Sequence, residues 1–390
     1  MRSVILSAAR TPVGSFNGSL STVPAPTLGA TAITGALDRA GVDKDAVDEV
    51  ILGNVVTAGE GQAPARQAAL GAGLPESVHC MTINKVCGSG MKAVMLADQA
   101  IRAGDAHVVV AGGMENMSLA PFLLDKARTG YGYGNGTLID ALFHDGLRDA
   151  YDGVAMGVAA DACAVSCNVP RERQDAFSIE SYTRAQASVE NGAFAEEIVP
   201  VTISGRKGDT VVDTDEEPAR TSFDKIPTLR AVFSKEGTVT AANASTINDG
   251  AAALDVASED WASENGKTPL ARIVASAQHS QAPMEFTTAP VEAVRKVLDK
   301  AGWTMDSVDL FEVNEAFAVV ALAAQDALDI PGDKLNVRGG SVAVGHPIGA
   351  SGARILTTLL HAMAERDAKR GLAAICIGGG EATAICLERD

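Results

Sequence analysis

A cysteine that could act as a nucleophile lies in the segment NKVCGSGMKA, between an apolar stretch and two glycines. The apolar stretch favours a strand and the segment after it favours a helix, which would place Cys87 at the helix N-terminus. At the positive end of a helix dipole, a thiol is expected to have a lowered pKa. The glycines beside Ser89 would let a substrate carbonyl approach the backbone. A buried structural cysteine is the alternative interpretation.

Such a nucleophile needs a base, and His346 has comparable surroundings. It lies in GGSVAVGHPIGASGAR, a second glycine-rich turn before a predicted helix. Cys376 ends a predicted strand in AAICIGGGEATAI, and Asn314 and Glu315 end another in FEVNEAF. Ligands of open α/β sheets lie beyond the carboxyl ends of the strands, so these side chains are predicted to face one crevice. For Cys376 alone, a buried core cysteine remains the alternative.

The elements that must position these residues alternate along the chain. VILSAAR, VDEVILGNVV, HCMTINKVC and AHVVVAGG favour strands, and helical patterns separate them. Strands alternating with helices of this length predict an α/β fold with a parallel sheet covered on both faces.

Two parts of the chain resemble each other. AGVDKDAVDEVILGN at 40–54 resembles AGWTMDSVDLFEVN at 301–314, and the glycine-rich turn, helix and strand that follow are also similar. This predicts two copies of one α/β unit, with Cys87 and His346 face to face at a pseudo-twofold centre. Chance similarity between segments rich in alanine and glycine is the alternative.

The segment between the two copies differs in character. It contains the glycine-rich stretch TGYGYGNGT, the polar helical pattern RERQDAFSIESYTRAQASVENGAF and a charged, irregular stretch. Because an apolar pattern resumes at DGAAALDVAS, the segment is predicted to be an insertion that caps the site. The predicted units are an N-terminal half (1–118 with 249–269), a loop domain (119–248) and a C-terminal half (270–390).

Composition narrows the classes of function. With 46% hydrophobic and 21% charged residues, a folded globular chain is expected. The formal net charge of −17 disfavours nucleic acid as a partner, because phosphates require a basic surface. Six cysteines without C-x-x-C spacing disfavour a disulfide scaffold or a zinc ribbon. Because no signal peptide or membrane-spanning run is recognisable, a cytoplasmic protein without a membrane partner is expected.

Six motifs together resemble the thiolases, in order and at matching spacing over nearly the whole chain: NKVCGSGMKA, AGGMENMS, GTVTAANASTINDGAAA, EVNEAF, GGSVAVGHPIGASGAR and CIGGGEATA. Within that family, the chain is most similar to the short-chain biosynthetic members. The resemblance implies the thiolase fold, with two duplicated α/β halves in a five-layer αβαβα core and an inserted loop domain. It also implies a homotetramer built as a dimer of dimers.

The reaction implied is the reversible Claisen condensation of two acetyl-CoA to acetoacetyl-CoA and CoA, with no cofactor, because the CoA thioesters are substrates. By resemblance, Cys87 would be acetylated after His346 takes its proton, and Cys376 would remove an α-proton from the second acetyl-CoA. Asn314 would hold a water that, with His346, stabilises the enolate oxygen. The backbone N–H groups of Cys87 and Gly378 would form the other oxyanion hole.

Coenzyme A is expected to contact the loop domain. By resemblance, Ser245 would hydrogen-bond the pantetheine and Arg220 would meet the nucleotide. The apolar wall of the pantetheine site would consist of Leu229, Phe233 and Ala241.

One position departs from the family pattern, since Ala155 precedes Met-Gly where short-chain members commonly carry a histidine. A roomier acyl pocket is therefore expected, and a 3-ketoacyl-CoA thiolase of broader chain length is the alternative function. A β-ketoacyl synthase is disfavoured because its His-Gly-Thr turn is absent. A cysteine hydrolase would leave Cys376 without a role, and an inactive carrier would be expected to have lost a reactive residue.

Overall fold

The computed structural model describes residues 1–390, and its largest element is a mixed sheet of ten strands. The strands are β1 (Ser3–Arg10), β2 (Gly14–Ser15), β3 (Glu49–Gly53), β4 (His79–Ile83), β5 (Val108–Asn116), β6 (Phe122–Leu123), β7 (Ile139–Asp140), β8 (Val201–Ile203), β9 (Thr210–Val212), β10 (Asn248–Ser258), β11 (Ala271–Ser280), β12 (Leu310–Val313), β13 (Arg370–Ile377) and β14 (Glu381–Glu388). The α-helices are α1 (Ala25–Ala40), α2 (Pro64–Gly71), α3 (Ser89–Ala103), α4 (Met156–Ser166), α5 (Arg171–Glu190), α6 (Glu259–Glu264), α7 (Ala289–Ala301), α8 (Ala318–Leu328), α9 (Ser341–Val344) and α10 (Ser351–Glu365). No helix combines the length and apolar character needed to cross a membrane.

The order of the strands repeats in the two halves of the chain. The sheet runs β12-β13-β14-β11-β1-β10-β5-β3-β4, and the antiparallel pair β1–β11 joins the halves. Outward from this pair, β10, β5 and β3 follow in one direction and β14, β13 and β12 in the other. The repeat extends to side chains, because Asp48 and Asp309 each accept two backbone N–H bonds at the start of β5 and β13, respectively.

The predicted all-parallel sheet is wrong for part of each half. β3 is parallel to β4 and β5, and β12 is parallel to β13, whereas β10 and β14 are antiparallel to their neighbours. A parallel pair requires a crossover, which a helix usually provides. β13 instead turns directly into β14 through Gly378–Gly380, where Gly379 and Gly380 have φ of 90° and 87°.

Helices α3 and α10 pack against each other inside one apolar cluster, which also contains residues of both halves of the sheet. Small residues allow their close approach. A Cβ added to Gly90 would lie 2.8 Å from the backbone nitrogen of Ala353, and one added to Gly352 would lie 2.4 Å from that of Met91. This contact brings together the turns that precede the two helices. The five-layer order of the stack stays a prediction.

The region between β5 and β10 contains α4, α5 and two short hairpins. The polar helical pattern corresponds to α5, which begins directly after Pro170. A buried ion cluster ties this region to the sheet: Arg10 of β1 bonds Glu197 at 2.8 Å and Asp215 at 2.7 Å. The parts of this region around residues 197 and 215 are therefore held against the C-terminal end of β1.

Candidate active site

Cys87 lies in a tight turn between β4 and α3. The hydroxyl of Ser89, the first residue of α3, accepts from the backbone N–H of Lys85 at 2.8 Å and donates to the carbonyl of Val86 at 2.6 Å. Val86 has a φ of 46°, which is costly for a β-branched residue. The turn is therefore held in one strained conformation that presents the thiol to a cavity.

The thiol of Cys87 is not activated by its position near the helix. Burial raises the pKa of Cys87 to about 11, although the backbone N–H groups of Gly378 and of Cys87 itself oppose this shift. The prediction of a lowered pKa was therefore wrong, because lost hydration outweighs the helix dipole here. The resting group is a neutral thiol that needs a base to react.

His346, which lines the same cavity, is the candidate for that base. Its backbone N–H donates to Asn248 Oδ1 at 2.8 Å, and its Nδ1 lies 2.6 Å from Ser351 Oγ. Since Ser351 Oγ donates to the carbonyl of Pro347, it accepts the hydrogen of His346 Nδ1. The lone pair then lies on Nε2, which is buried and has no partner. Burial, assisted by Arg354, lowers the pKa of His346 to about 3, so the imidazole is neutral.

Cys376, near the end of β13, is fully buried and does not line the cavity. Burial raises its pKa well above the usual range for a thiol, and Cys87 and Cys163 contribute to the same shift. The structure therefore places Cys376 behind the cavity wall, within electrostatic reach of Cys87.

Asn314 directly follows β12, and its side chain is oriented by a buried chain of donors. Arg354 Nη2 donates to Ser341 Oγ at 2.7 Å, and the Ser341 hydroxyl donates to Asn314 Oδ1 at 2.6 Å. The direction of these bonds identifies the remaining amide atom as Nδ2, which is buried without a partner. This amide can therefore donate to a water or to a substrate oxygen.

Cys87 and His346 open onto one cavity of about 590 Å³, within the usual size range of ligand sites, whereas Cys376 and Asn314, which were predicted to face the same crevice, do not line it. Its lining is largely hydrophobic, with 17 of 27 residues, which suits a pantetheine arm better than a polar ligand. The predicted residues that line it are Cys87, His346, Gly378, Arg220, Phe233, Ala241 and Ser245.

Leu229 is not brought to this cavity. It follows the short helix Phe223–Thr228, and its carbonyl accepts from Arg171 Nη2 at 3.0 Å. This bond ties the segment to α5, and the place of Leu229 in the apolar wall of the pantetheine site stays a prediction. Met156 and Phe317, which line the cavity, were not predicted.

The positioning residues Ser341, Ser351 and Asn248 were also missed. A signal existed for Ser351, because it stands in GASG as Ser89 stands in GSG, at the first position of each helix. No sequence pattern indicated Ser341, whose role depends on a contact with Arg354 across the fold.

Comparison with known proteins agrees with this fold. The family model described as "Thiolase, N-terminal domain" matches residues 3–260, and "Thiolase, C-terminal domain" matches residues 267–389. The chain is 54% identical to "Probable acetyl-CoA acetyltransferase" of Dictyostelium discoideum over 387 residues, 99% of this chain and 94% of that protein. It is 53% identical to "Acetyl-CoA acetyltransferase" of Escherichia coli strain K12, and the match covers 99% of this chain and 98% of that protein. It is 50% identical to "Acetyl-CoA acetyltransferase, mitochondrial" of Homo sapiens, and the match covers 99% of this chain and 90% of that protein.

Both halves of the chain match their family model, and the identities extend over nearly its full length. The chain therefore belongs to the thiolase family and is an acyltransferase. The family predicted from the six motifs is confirmed.

Proposed function

We propose that the protein is an acetyl-CoA C-acetyltransferase, which reversibly condenses two acetyl-CoA to acetoacetyl-CoA and CoA through an acetyl-cysteine. The observation that carries the proposal is the shared cavity, where Cys87 meets the N–H of Gly378 and where His346 presents an unpartnered Nε2. The names of the similar proteins support the same substrates.

In the direction of thiolysis, Cys87 gives its proton to His346 Nε2, and its sulfur attacks the ketone carbon of acetoacetyl-CoA. The charge that develops on the carbonyl oxygen is stabilised by the N–H groups of Cys87 and Gly378. The carbon–carbon bond breaks, leaving the acetyl group on Cys87 and an enolate of acetyl-CoA. Cys376 protonates that enolate, and its raised pKa ensures that it still holds a proton at this step.

Free CoA then enters and gives its thiol proton to the thiolate of Cys376. Its sulfur attacks the acetyl carbon, and Cys87 leaves and recovers its proton from His346. Every proton returns to its starting group, so condensation is the same sequence in reverse. Two thiols are needed because the sulfur that carries the acyl group cannot also act as the base for a weakly acidic C–H.

The enolate oxygen would be stabilised by His346 and by a water held on Asn314. Both side chains have a buried nitrogen without a protein partner. Leaving such an atom unpaired is unfavourable, so a ligand that pairs with it gains affinity. The two orphaned nitrogens support this second oxyanion hole.

For coenzyme A, the cavity supports four of the five predicted contacts. Ser245 Oγ donates to the carbonyl of Ala316 at 2.9 Å, which leaves its lone pairs available to a pantetheine N–H. Phe233 and Ala241 form apolar wall, and the exposed Arg220 would meet the nucleotide phosphates.

The proposal is tested with acetoacetyl-CoA and free CoA, by following the absorbance of the acetoacetyl-CoA enolate. Loss that requires CoA, with acetyl-CoA as the product, is expected. Loss without CoA would instead indicate a hydrolase. Absence of any loss in a folded sample would contradict the thiolase activity.

A second candidate, a thiolase with broader chain length, is favoured by one observation. Ala155 precedes α4 and lines the cavity, so a small side chain stands where short-chain relatives commonly carry a histidine. The ratio of kcat/KM for longer 3-ketoacyl-CoA to that for acetoacetyl-CoA decides between the two. Ala155→His is expected to lower that ratio if the added space accepts a longer chain.

We also propose that the protein acts as a cytoplasmic homotetramer. Large apolar side chains are exposed in the segment 119–138, among them Phe122, Tyr133 and Leu138. Isolated exposed apolar residues are common, but a group of them in one segment supports a contact with another subunit. Light scattering after size exclusion checks the assembly.

A further inference from the structure

Two cysteines that have no assigned step in the proposed reaction lie one helical turn apart, Cys163 on α4 and Cys167 directly after it. The Sγ atoms of Cys163 and Cys167 are 3.8 Å apart, and both residues are reduced. Cys163 is buried in an apolar cluster, whereas Cys167 is half-buried at the C-terminal end of the helix.

Their backbone geometry is compatible with a disulfide. The backbone N–H of Cys167 donates to the carbonyl of Cys163 at 2.8 Å, so the two residues keep helical spacing. Four helical residues rise about 6 Å, inside the range of about 4.4–6.8 Å for the Cα atoms of bonded cysteines, whereas the Cβ atoms at this spacing are about 5–6 Å apart and must approach to about 3.5–4.5 Å. Because Cys167 ends the helix, it can move toward Cys163 without breaking the preceding turns.

We propose that Cys163 and Cys167 form a peroxide-reactive dithiol, in which Cys167 is oxidised first and Cys163 then closes a disulfide. The division of roles follows from access. Cys167 reaches solvent, whereas burial raises the pKa of Cys163 to about 12 and keeps it protonated. Hydrogen peroxide therefore meets Cys167 as the accessible sulfur.

The chemistry balances in two steps. Cys167 sulfur attacks hydrogen peroxide, the O–O bond breaks, one oxygen stays as a sulfenic acid and the other leaves as water with the thiol proton. Cys163 sulfur then attacks Cys167 sulfur, the S–O bond breaks, and the hydroxyl leaves as water with the Cys163 proton. Two electrons pass from the dithiol to the peroxide.

The full-length protein is treated with hydrogen peroxide, alkylated under denaturing conditions and digested with trypsin. The tryptic peptide 149–171 contains Cys163 and Cys167 and no other cysteine. After peroxide, we expect this peptide to carry no alkyl group and to be two hydrogens lighter than its free dithiol form, and we expect alkylation to return after prior reduction with dithiothreitol. Oxidation of Met156, on the same peptide, adds an oxygen and is thereby distinguished.

Variants assign the order of events. Cys163→Ser should leave a sulfenic acid at Cys167 that a 1,3-dione probe traps, and Cys167→Ser should leave Cys163 fully alkylated. Cys80→Ser is the matched control, because Cys80 is half-buried and outside the pair, and it should leave the disulfide unchanged. Full alkylation of both cysteines at a peroxide dose that oxidises Cys80 would overturn the proposal, as would a disulfide from either cysteine to another residue.

Discussion

The turns that precede α3 and α10 are both rich in glycine and both lead to a helix that begins with serine, yet their polar side chains have different partners. Ser89 and Ser351 each begin their helix, but Ser89 bonds only backbone atoms of its turn whereas Ser351 contacts the ring of His346. Asn54 and Asn314 each follow the equivalent strand directly. Asn54 Nδ2 donates to Glu115 at 3.0 Å, while Nδ2 of Asn314 has no partner. The side-chain N–H group of Asn54 is thus paired within its own half, whereas that of Asn314 is left available to a ligand.

Burial acts on the two reactive groups in opposite senses. It raises the pKa of Cys87 and lowers that of His346, because a low-dielectric site disfavours the thiolate and the imidazolium alike. In the resting state, a neutral thiol and a neutral imidazole therefore line the same cavity. Because burial keeps the Cys87 thiol protonated, its reaction depends on a base, and the candidate base, His346, belongs to the other half of the chain.

The largest effect is expected from the nucleophile itself. Cys87→Ser should lower kcat by roughly 10⁴- to 10⁶-fold, as removal of a catalytic nucleophile does elsewhere. The measurement is transfer of labelled acetyl from acetyl-CoA, followed by peptide mapping. Cys386→Ser, a buried cysteine in β14, is the control and should keep the label on Cys87. Acetyl label on any other residue would contradict the assignment.

The second-largest effect is expected from a substitution that removes the Cys376 thiol and keeps the Cys87 thiol. Cys376→Ser should retain acetylation of Cys87 but lower condensation and α-proton exchange by roughly 10²- to 10⁴-fold, the usual range for loss of a general acid or base. Deuterium uptake into the methyl group of acetyl-CoA, followed by mass spectrometry, measures the exchange. An exchange rate equal to that of the unmodified protein would remove Cys376 from the mechanism.

The two asparagines should respond in opposite ways. Asn314→Ala is expected to lower kcat by roughly 10²- to 10³-fold, because an oxyanion donor is lost. Asn54→Ala is expected to lower the free energy of unfolding by about 1–3 kcal/mol, because a bond to the buried Glu115 is removed. Steady-state kinetics and denaturant unfolding on both variants check this contrast. Equal losses of kcat in the two variants would break the comparison between the halves.

Ser351→Ala should have a smaller effect. The bond from His346 Nδ1 fixes the tautomer, and a hydrogen bond worth about 0.5–1.5 kcal/mol corresponds to a loss of roughly 2- to 10-fold in kcat. Ser178→Ala removes a buried hydroxyl that bonds only the backbone of α5, so it controls for lost packing. If both variants lose kcat equally, Ser351 has no specific part in positioning the imidazole.

The smallest effect is expected when the protonation of His346 is followed as a function of pH. Because its pKa is lowered to about 3, its labelled ring carbon should show no titration between about pH 5 and pH 8 by NMR. In the unfolded chain, the imidazole takes up a proton near pH 6.5. Between these two values the unfolded state binds more protons, so stability should fall as the pH falls. His346→Asn should reduce that slope, and a titration midpoint near 6.5 in the folded protein would contradict the burial argument.

The local pattern of the sequence was sufficient for most of the scaffold and for the family. Alternating apolar runs and glycine turns predicted β1, α1, β3, α2, β4, α3 and β5, and the repeated AGxxxD segments coincide with strands that lie symmetrically in the sheet. These signals are local, since strand and helix periodicity depends on neighbours within a few residues. Cys87 and His346 were selected because glycines flank their turns, whereas Gly378 was implied only by the family resemblance.

The tertiary structure decided the rest. The shift in the pKa of Cys87, the orientation of Asn314 by Ser341, and the bond from Arg171 to the carbonyl of Leu229 all depend on residues far away in the chain. Loss of hydration and hydrogen bonding across the fold cannot be read from sequence neighbours, since each is set by what packs against the group. The sequence therefore determined which side chains could react, and the packing of the two halves determined the protonation state and the orientation of those side chains.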